Sequence, residues 1–167
     1  VLINANDANN PDLLQQRGQE QSKGVDIDIN GRILNNLSVS ANYAYNQSTI
    51  TQSASPALVG TGKEFTPDHM GAVWLRYNII RGGLKGLGLS FGGNFVSSQN
   101  TTQYAQITLP TYTVFNAALF YQIQRVQLSV NVNNLTDKTY WLGRGRSTVT
   151  VNPGAPRNAL FSIGYRF

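Results

Sequence analysis

The sequence predicts an all-β chain, an antiparallel sheet of long strands that forms a segment of a transmembrane β-barrel wall. Three observations predict it. Apolar and polar residues alternate with period two in segment after segment, the apolar sides carry no charge, and the connections alternate between tight turns and long polar loops. Successive strand side chains point to opposite faces, so this alternation gives each segment one oily and one wet side.

The elements follow in order. Val25, Ile27 and Ile29 stand opposite Asp26, Asp28 and Asn30, and Leu37, Val39, Ala41, Tyr43 and Tyr45 opposite Ser38, Ser40, Asn42, Ala44 and Asn46. Next come Val73, Leu75, Tyr77 and Ile79 against Ala72, Trp74, Arg76 and Asn78, then Leu87, Leu89, Phe91 and Phe95 against Ser90, Gly92 and Asn94. Phe115, Ala117, Leu119 and Tyr121 make a fifth stretch, and Val126, Leu128, Val130 and Val132 a sixth, opposite Gln127, Ser129, Asn131 and Asn133. The last puts Ala159, Phe161, Ile163, Tyr165 and Phe167 on one side and Asn158, Ser162, Gly164 and Arg166 on the other. That makes seven strands, with a fragment of another at Val1–Asn6.

Residues 33–36, 81–85 and 122–125 read as tight turns. Residues 6–20, 52–66, 97–108 and 143–157 read as long loops rich in Gly, Ser, Thr, Asn and Pro. Short turns on one side and long loops on the other is the layout of an outer-membrane barrel. The patterned stretches reach the ~9–11 residues a tilted strand needs to cross hydrocarbon, beyond the mode of about 5–6 in globular sheets. Tyr43, Tyr45, Tyr77, Tyr121, Tyr165 and Phe167 fall near strand ends, where amphipathic rings suit a membrane interface.

Composition removes other classes. No apolar run approaches the ~20 residues of a spanning helix. The chain begins at Val1 without a start Met, so we expect a piece of a longer, processed protein. With no cysteine there are no disulfides, thiolate zinc sites or Cys nucleophiles. The net charge of +5 comes from basic residues scattered from Arg17 to Arg166 rather than gathered in a run, so no nucleic-acid partner is expected.

Nor does the sequence assemble a catalytic group. The single His69 sits beside Pro67-Asp68 with no recognisable nucleophile arrangement around it. The Gly-rich pieces open no helix and so lack the physical basis of a phosphate loop. Asp26 and Asp28 form a carboxylate pair on the wet face, expected beside lumenal Arg or Lys, and no cluster has metal-ligand spacing. The chain is read as non-enzymatic, without a resident cofactor or metal.

Three phrases then carry a resemblance: Asn133-Asn134-Leu135-Thr136-Asp137-Lys138-Thr139-Tyr140, Pro153-Gly154-Ala155-Pro156-Arg157, and Phe161-Ser162-Ile163-Gly164-Tyr165-Arg166-Phe167. In this order they resemble the closing segment of TonB-dependent receptors. Four upstream phrases resemble the ferric-siderophore branch, hydroxamate-type receptors included. They are Ser22-Lys23-Gly24-Val25-Asp26, Ala41-Asn42-Tyr43-Ala44-Tyr45, Phe65-Thr66-Pro67-Asp68-His69 and Leu109-Pro110-Thr111-Tyr112-Thr113.

The resemblance implies that residues 1–167 are the C-terminal portion, about seven to eight strands, of a barrel of about 22 strands. Plug domain and N-terminal strands would lie elsewhere. It implies capture of a ferric siderophore, import energised by the TonB complex through an N-terminal region absent here, and iron carried within the ligand. Phe161, Ile163, Tyr165 and Phe167 resemble the signal read by the barrel-assembly machinery, through strand addition.

Rings and Arg donors near the long loops suit a bulky chelate, and Tyr104, Tyr140, Trp141, Arg144 and Arg146 fit that description. The same residues could equally anchor the wall in the outer membrane or touch anionic lipopolysaccharide. Asn134, Asp137 and Pro67-Asp68 are expected to shape turns and bulges. Two alternatives stay open at this point, a plug-less porin-type barrel and a soluble β-sandwich binder whose oily faces meet in one core.

Overall fold

The computed structural model describes residues 2–4, 14–16, 18–53, 55–101, 107–144 and 150–167. Its centre is a seven-stranded antiparallel meander. In chain order the strands are β1 (Leu2–Asn4), β2 (Leu14–Gln16), β3 (Gln19–Leu34), β4 (Leu37–Gln52), β5 (His69–Asn78), β6 (Leu87–Val96) and β7 (Gln99–Asn100). They continue as β8 (Thr108–Leu109), β9 (Tyr112–Ile123), β10 (Val126–Asn133), β11 (Trp141–Arg144), β12 (Thr150–Pro153) and β13 (Asn158–Tyr165). The main sheet runs β13-β10-β9-β6-β5-β4-β3, so each strand lies beside the one that precedes it in the meander. The remaining strands form three small hairpins, β1-β2, β7-β8 and β11-β12.

The fragment expected at Val1–Asn6 is the strand β1, and it pairs with β2 rather than with the main sheet. The long loop expected at 6–20 therefore contains one arm of a hairpin, β2, and the hairpins β7-β8 and β11-β12 lie at the loops expected at 97–108 and 143–157. Backbone groups in such loops find partners by pairing locally.

The tight turns are as expected in place but not in size. Leu34 pairs with Leu37 around Asn35-Asn36, and Ile123 pairs with Val126 around Gln124-Arg125, where Gln124 has φ +50°. The third connection takes residues 79–86, longer than the 81–85 read from the sequence, because β5 ends at Asn78.

Register across the sheet places the oily residues on one face. The row Ile29, Ala41, Val73, Gly93, Phe115 crosses the five strands from β3 to β9, and the row Tyr77, Leu89, Leu119, Val130, Phe161 crosses the five from β5 to β13. Trp74, Arg76, Asn78, Ser90, Asn94, Asn116, Ser129 and Asn131 lie on the opposite face by the same register. Polar contacts there include Ser40 to Asn30 Oδ1 at 2.6 Å and the Ser129–Ser162 hydroxyl pair at 2.5 Å.

The oily face does not fold onto a partner layer. Leu89 is 52% exposed, Phe161 73% and Ile163 79%. Among the described residues the buried apolar side chains are Ile50, Leu58, Leu109 and Val114, all at the long-loop end. A sandwich would bury the mid-strand rows instead, so that alternative is overturned. Both outer strands of the sheet, β3 and β13, have one edge without a strand partner among the described residues. In lipid each unsatisfied backbone group costs several kcal/mol, so the sheet is complete only inside a closed barrel.

β3 and β4 have 16 residues each, about 50 Å of strand, well beyond what spans hydrocarbon at a tilt. Tyr43, Tyr45 and His69 mark where β4 leaves the apolar zone, with Tyr45 paired to His69 and polar residues above. Tyr77, Tyr121 and Tyr165 mark the short-turn side.

Asp26 and Asp28 do face the wet side, but not beside a cation. Their cross-strand neighbours on β4 are Ala44 and Asn42, and the one ion pair among the described residues is Lys63–Glu20 at 2.6 Å. The basic side chains of the wet face sit in other rows; Arg76 is packed over the Phe120 ring at 3.9 Å instead.

Candidate functional site

Three long loops converge above the sheet. The Phe65 N–H donates to the Asn100 carbonyl at 2.8 Å, and the Phe65 ring packs on Gly143 of β11, joining the loops after β4, β6 and β10. Within one of them Thr101, fully buried, directs both its N–H and its hydroxyl to the Ile107 carbonyl, each at 2.9 Å.

Beneath this roof the wet face is hollowed into a recess of about 420 Å³, lined by Trp74, Asn94, Tyr112, Asn116, Tyr140, Leu142 and Asn158 among others. Its lining combines rings and carboxamides with the aliphatic Val96, Val114 and Leu142, and has no charged side chain. Tyr112 and Tyr140 meet with ring centroids 4.7 Å apart. The Tyr140 ring lies against Gly154, and the Trp74 ring lies over Gly92, its cross-strand partner; a Cβ at either glycine would collide with the ring. Glycine at these two positions lets rings lie down on the wall instead of standing into the lumen.

Asn134 holds the recess together. It is 2% exposed and adopts φ +52°, a left-handed conformation that Asn tolerates better than most residues. Its Oδ1 accepts from the Lys138 N–H at 2.8 Å, and its Nδ2 donates to the carbonyls of Lys138 and Ala155 at 2.9 and 3.0 Å. Its own N–H donates to Asn116 Oδ1 at 3.0 Å. Asp137, also at φ +52°, accepts from the Arg157 N–H at 2.8 Å. The expectation that Asn134 and Asp137 shape a turn is what the structure contains. The turn fixes Tyr140, whose carbonyl accepts from the Gly154 N–H at 2.8 Å.

Of the residues singled out from sequence, Tyr140 lines the recess. Trp141 is 40% exposed, the first residue of β11, and does not line it. Arg144 ends β11 opposite Thr150. Tyr104 and Arg146 lie outside the described residues. Sequence reasoning missed Trp74, Tyr112, Asn94 and Asn116. The signal available was parity, since Trp74 and Tyr112 are aromatic residues on the wet side of their strands, where rings have no lipid to meet. Phe161, Ile163 and Tyr165 project from the oily face of β13, and Tyr165 meets Phe167 edge-on at 5.1 Å.

Comparison with known proteins gives a consistent picture. The family described as TonB dependent receptor-like, beta-barrel matches residues 2–135. The ferrioxamine B receptor of Salmonella typhimurium is 29% identical over 90% of the chain, and the metal-pseudopaline receptor CntO of Pseudomonas aeruginosa 30% identical over 94%. The chain spans 22% of the length of each of these relatives. Among solved structures, the ferric preacinetobactin receptor BauA of Acinetobacter baumannii is similar with a TM-score of 0.78 at 20% identity, over 99% of this chain and 25% of that one.

Proposed function

The chain belongs to the TonB-dependent receptor-like β-barrel family and lies in the outer membrane, and from that premise we propose that it forms part of the wall of a receptor that imports an iron-siderophore complex with energy delivered through TonB. Plug and TonB-contacting segment belong to the part of the receptor outside this chain, which is why the whole transport cycle does not rest on these residues. We read the chain itself as non-catalytic, and iron as cargo held by its chelator.

The observation that carries this reading is the uncharged recess of rings and carboxamides under the converged loops. Carboxamides both donate and accept, and so suit an amide-rich or hydroxamate chelate, while Trp74, Tyr112 and Tyr140 offer flat apolar area with a polar tip. Mostly apolar concavities with a few placed polar groups are the usual form of a ligand site.

The test is ligand affinity on intact cells. Trp74→Ala and Tyr140→Ala are each expected to weaken binding of a ferric hydroxamate by about tenfold, ~1.4 kcal/mol. Trp141→Ala measures separately whether the loop rim contributes. Full affinity in both Trp74→Ala and Tyr140→Ala would remove the recess from consideration.

We propose two further partners, lipopolysaccharide against the oily wall on the loop side and the barrel-assembly machinery at β13. Removing Phe167 is expected to lower the amount of assembled receptor several-fold while leaving the affinity of the remainder unchanged, because Phe167 lies at the short-turn end, far from the recess. Quantitative surface labelling checks this, and unchanged surface levels would refute it.

A further inference from the structure

Three rings on the lumenal side of the wall lie on glycines. Trp74 lies over Gly92 and Phe120 over Gly88, each pair being cross-strand neighbours, and Tyr140 lies over Gly154, between β12 and β13. None of these glycines has a positive φ, so the backbone at each would accept alanine. What the three positions require is space. They are not equivalent, however. A Cβ at Gly92 would also come within 2.6 Å of the Val73 carbonyl oxygen, and one at Gly88 within 3.0 Å of Asn78 Oδ1, so those two glycines serve the sheet as well as the ring. At Gly154 the three nearest atoms would all be carbons of the Tyr140 ring.

A methyl group at position 154 is therefore accommodated by moving that ring, the free end of a side chain, off the wall. The hydrogen bond from the Gly154 N–H to the Tyr140 carbonyl, 2.8 Å, is a backbone contact that alanine keeps. The ring itself cannot move without consequence. It meets Tyr112 at 4.7 Å between centroids, and both rings border the recess of about 420 Å³. Leaving Gly154, it either enters that space or drives Tyr112 into it.

The recess has no charged side chain to set against a charged ligand, and a charge buried without a partner is costly, so its chemistry suits a neutral chelate. Among neutral chelates with the same donor atoms, what remains to discriminate is bulk. Extra volume in a packed site forces neighbours out of place. We propose that Gly154 is a positioning residue that determines specificity: by letting the Tyr140 ring lie against the wall it sets the depth of the recess, and with it the largest neutral iron chelate the recess admits. This role rests on the reading of the recess as the ligand site.

Calorimetric titration of the purified receptor containing this chain tests it with two neutral probes, iron(III) tris(acetohydroxamate) and iron(III) tris(benzohydroxamate). The pair shares donors and charge and differs in bulk. Gly154→Ala is expected to weaken binding of the benzohydroxamate complex about tenfold and of the acetohydroxamate complex by less than about twofold. In a Tyr140→Ala background the ring is gone, so adding Gly154→Ala should change neither affinity further. A merely structural effect, passed through the neighbouring Ala155 carbonyl to Asn134, would persist in that background and touch both complexes alike. Equal loss for the two complexes, no loss for either, or a Gly154→Ala effect that survives Tyr140→Ala would overturn the proposal. Fluorine NMR of the receptor carrying fluorotyrosine at position 140 gives a readout without ligand, and its resonance should move in Gly154→Ala. A moved resonance in a receptor whose wild type binds neither complex would sink the ligand-site reading and leave Gly154 as the seat of the ring. An unmoved resonance would overturn the positioning role itself.

Discussion

Asn134→Ala is expected to be the most destabilising single substitution in the lumenal half of this wall. Three side-chain hydrogen bonds disappear, and the Lys138 N–H and the Lys138 and Ala155 carbonyls lose the partner that joins them. A buried polar group left unsatisfied costs about 1–3 kcal/mol, and water entering from the lumen recovers part of it, so a loss of about 3–5 kcal/mol is expected. Alanine also has to hold φ +52°, which glycine does without strain. Asn134→Gly therefore separates the two causes, and should recover only the backbone part. Urea unfolding of the assembled barrel provides the measurement. Ligand affinity should fall with stability, because the same turn fixes Tyr140 against Tyr112. A change below about 1 kcal/mol would mean that the turn is held by the chain on either side of it.

Leu89→Arg and Ser90→Arg form the second expected contrast, on adjacent residues of β6. Leu89 is half exposed in a row of Tyr77, Leu119, Val130 and Phe161, while Ser90 lies on the other face between Arg76 and Ala118. An arginine on the lipid face costs about 2–4 kcal/mol near the bilayer midplane, whereas the lumenal face is wet. Leu89→Arg should thus lower the folding free energy in lipid vesicles by that amount and reduce assembly in cells. Ser90→Arg should do neither, beyond a local repulsion from Arg76. Equal effects at the two positions would contradict a wall with lipid on one side and water on the other.

Much of this architecture was legible in the residues. The seven strands of the meander, their oily and wet faces, the positions of the tight turns and the long loops all follow from alternation and turn chemistry, which act over a few residues. The turn-forming role of Asn134 was legible for the same reason, since its side chain bonds to the backbone of Lys138 close by in sequence, whereas Asp137 accepts from the Arg157 N–H, 20 residues on. Strand ends were read less well. β4 continues from Tyr45 to Gln52, past the level where its apolar side stops, because pairing with β3 continues there without needing lipid contact.

The candidate site was legible only in part. Tyr140 was identified as an aromatic residue near a long loop, but Trp74 passed as a member of a strand pattern and Tyr112 only as part of a family-like phrase. Nothing local distinguishes a ring that lies over a glycine of the next strand from one that stands free.

By itself, then, the sequence determined which face each strand residue takes, because side-chain direction has a period of two and needs no partner to be read, while the exposure of the oily rows in the structure excluded a sandwich. Only the tertiary structure decided which residues share a height. Sliding one strand past another by two residues, about 7 Å, keeps every side chain on its face and leaves the pattern unchanged. Pairing across the sheet and the Asn134 turn set that height. They bring Trp74, Tyr112 and Tyr140 to one lumenal recess and lay the Tyr140 ring on Gly154.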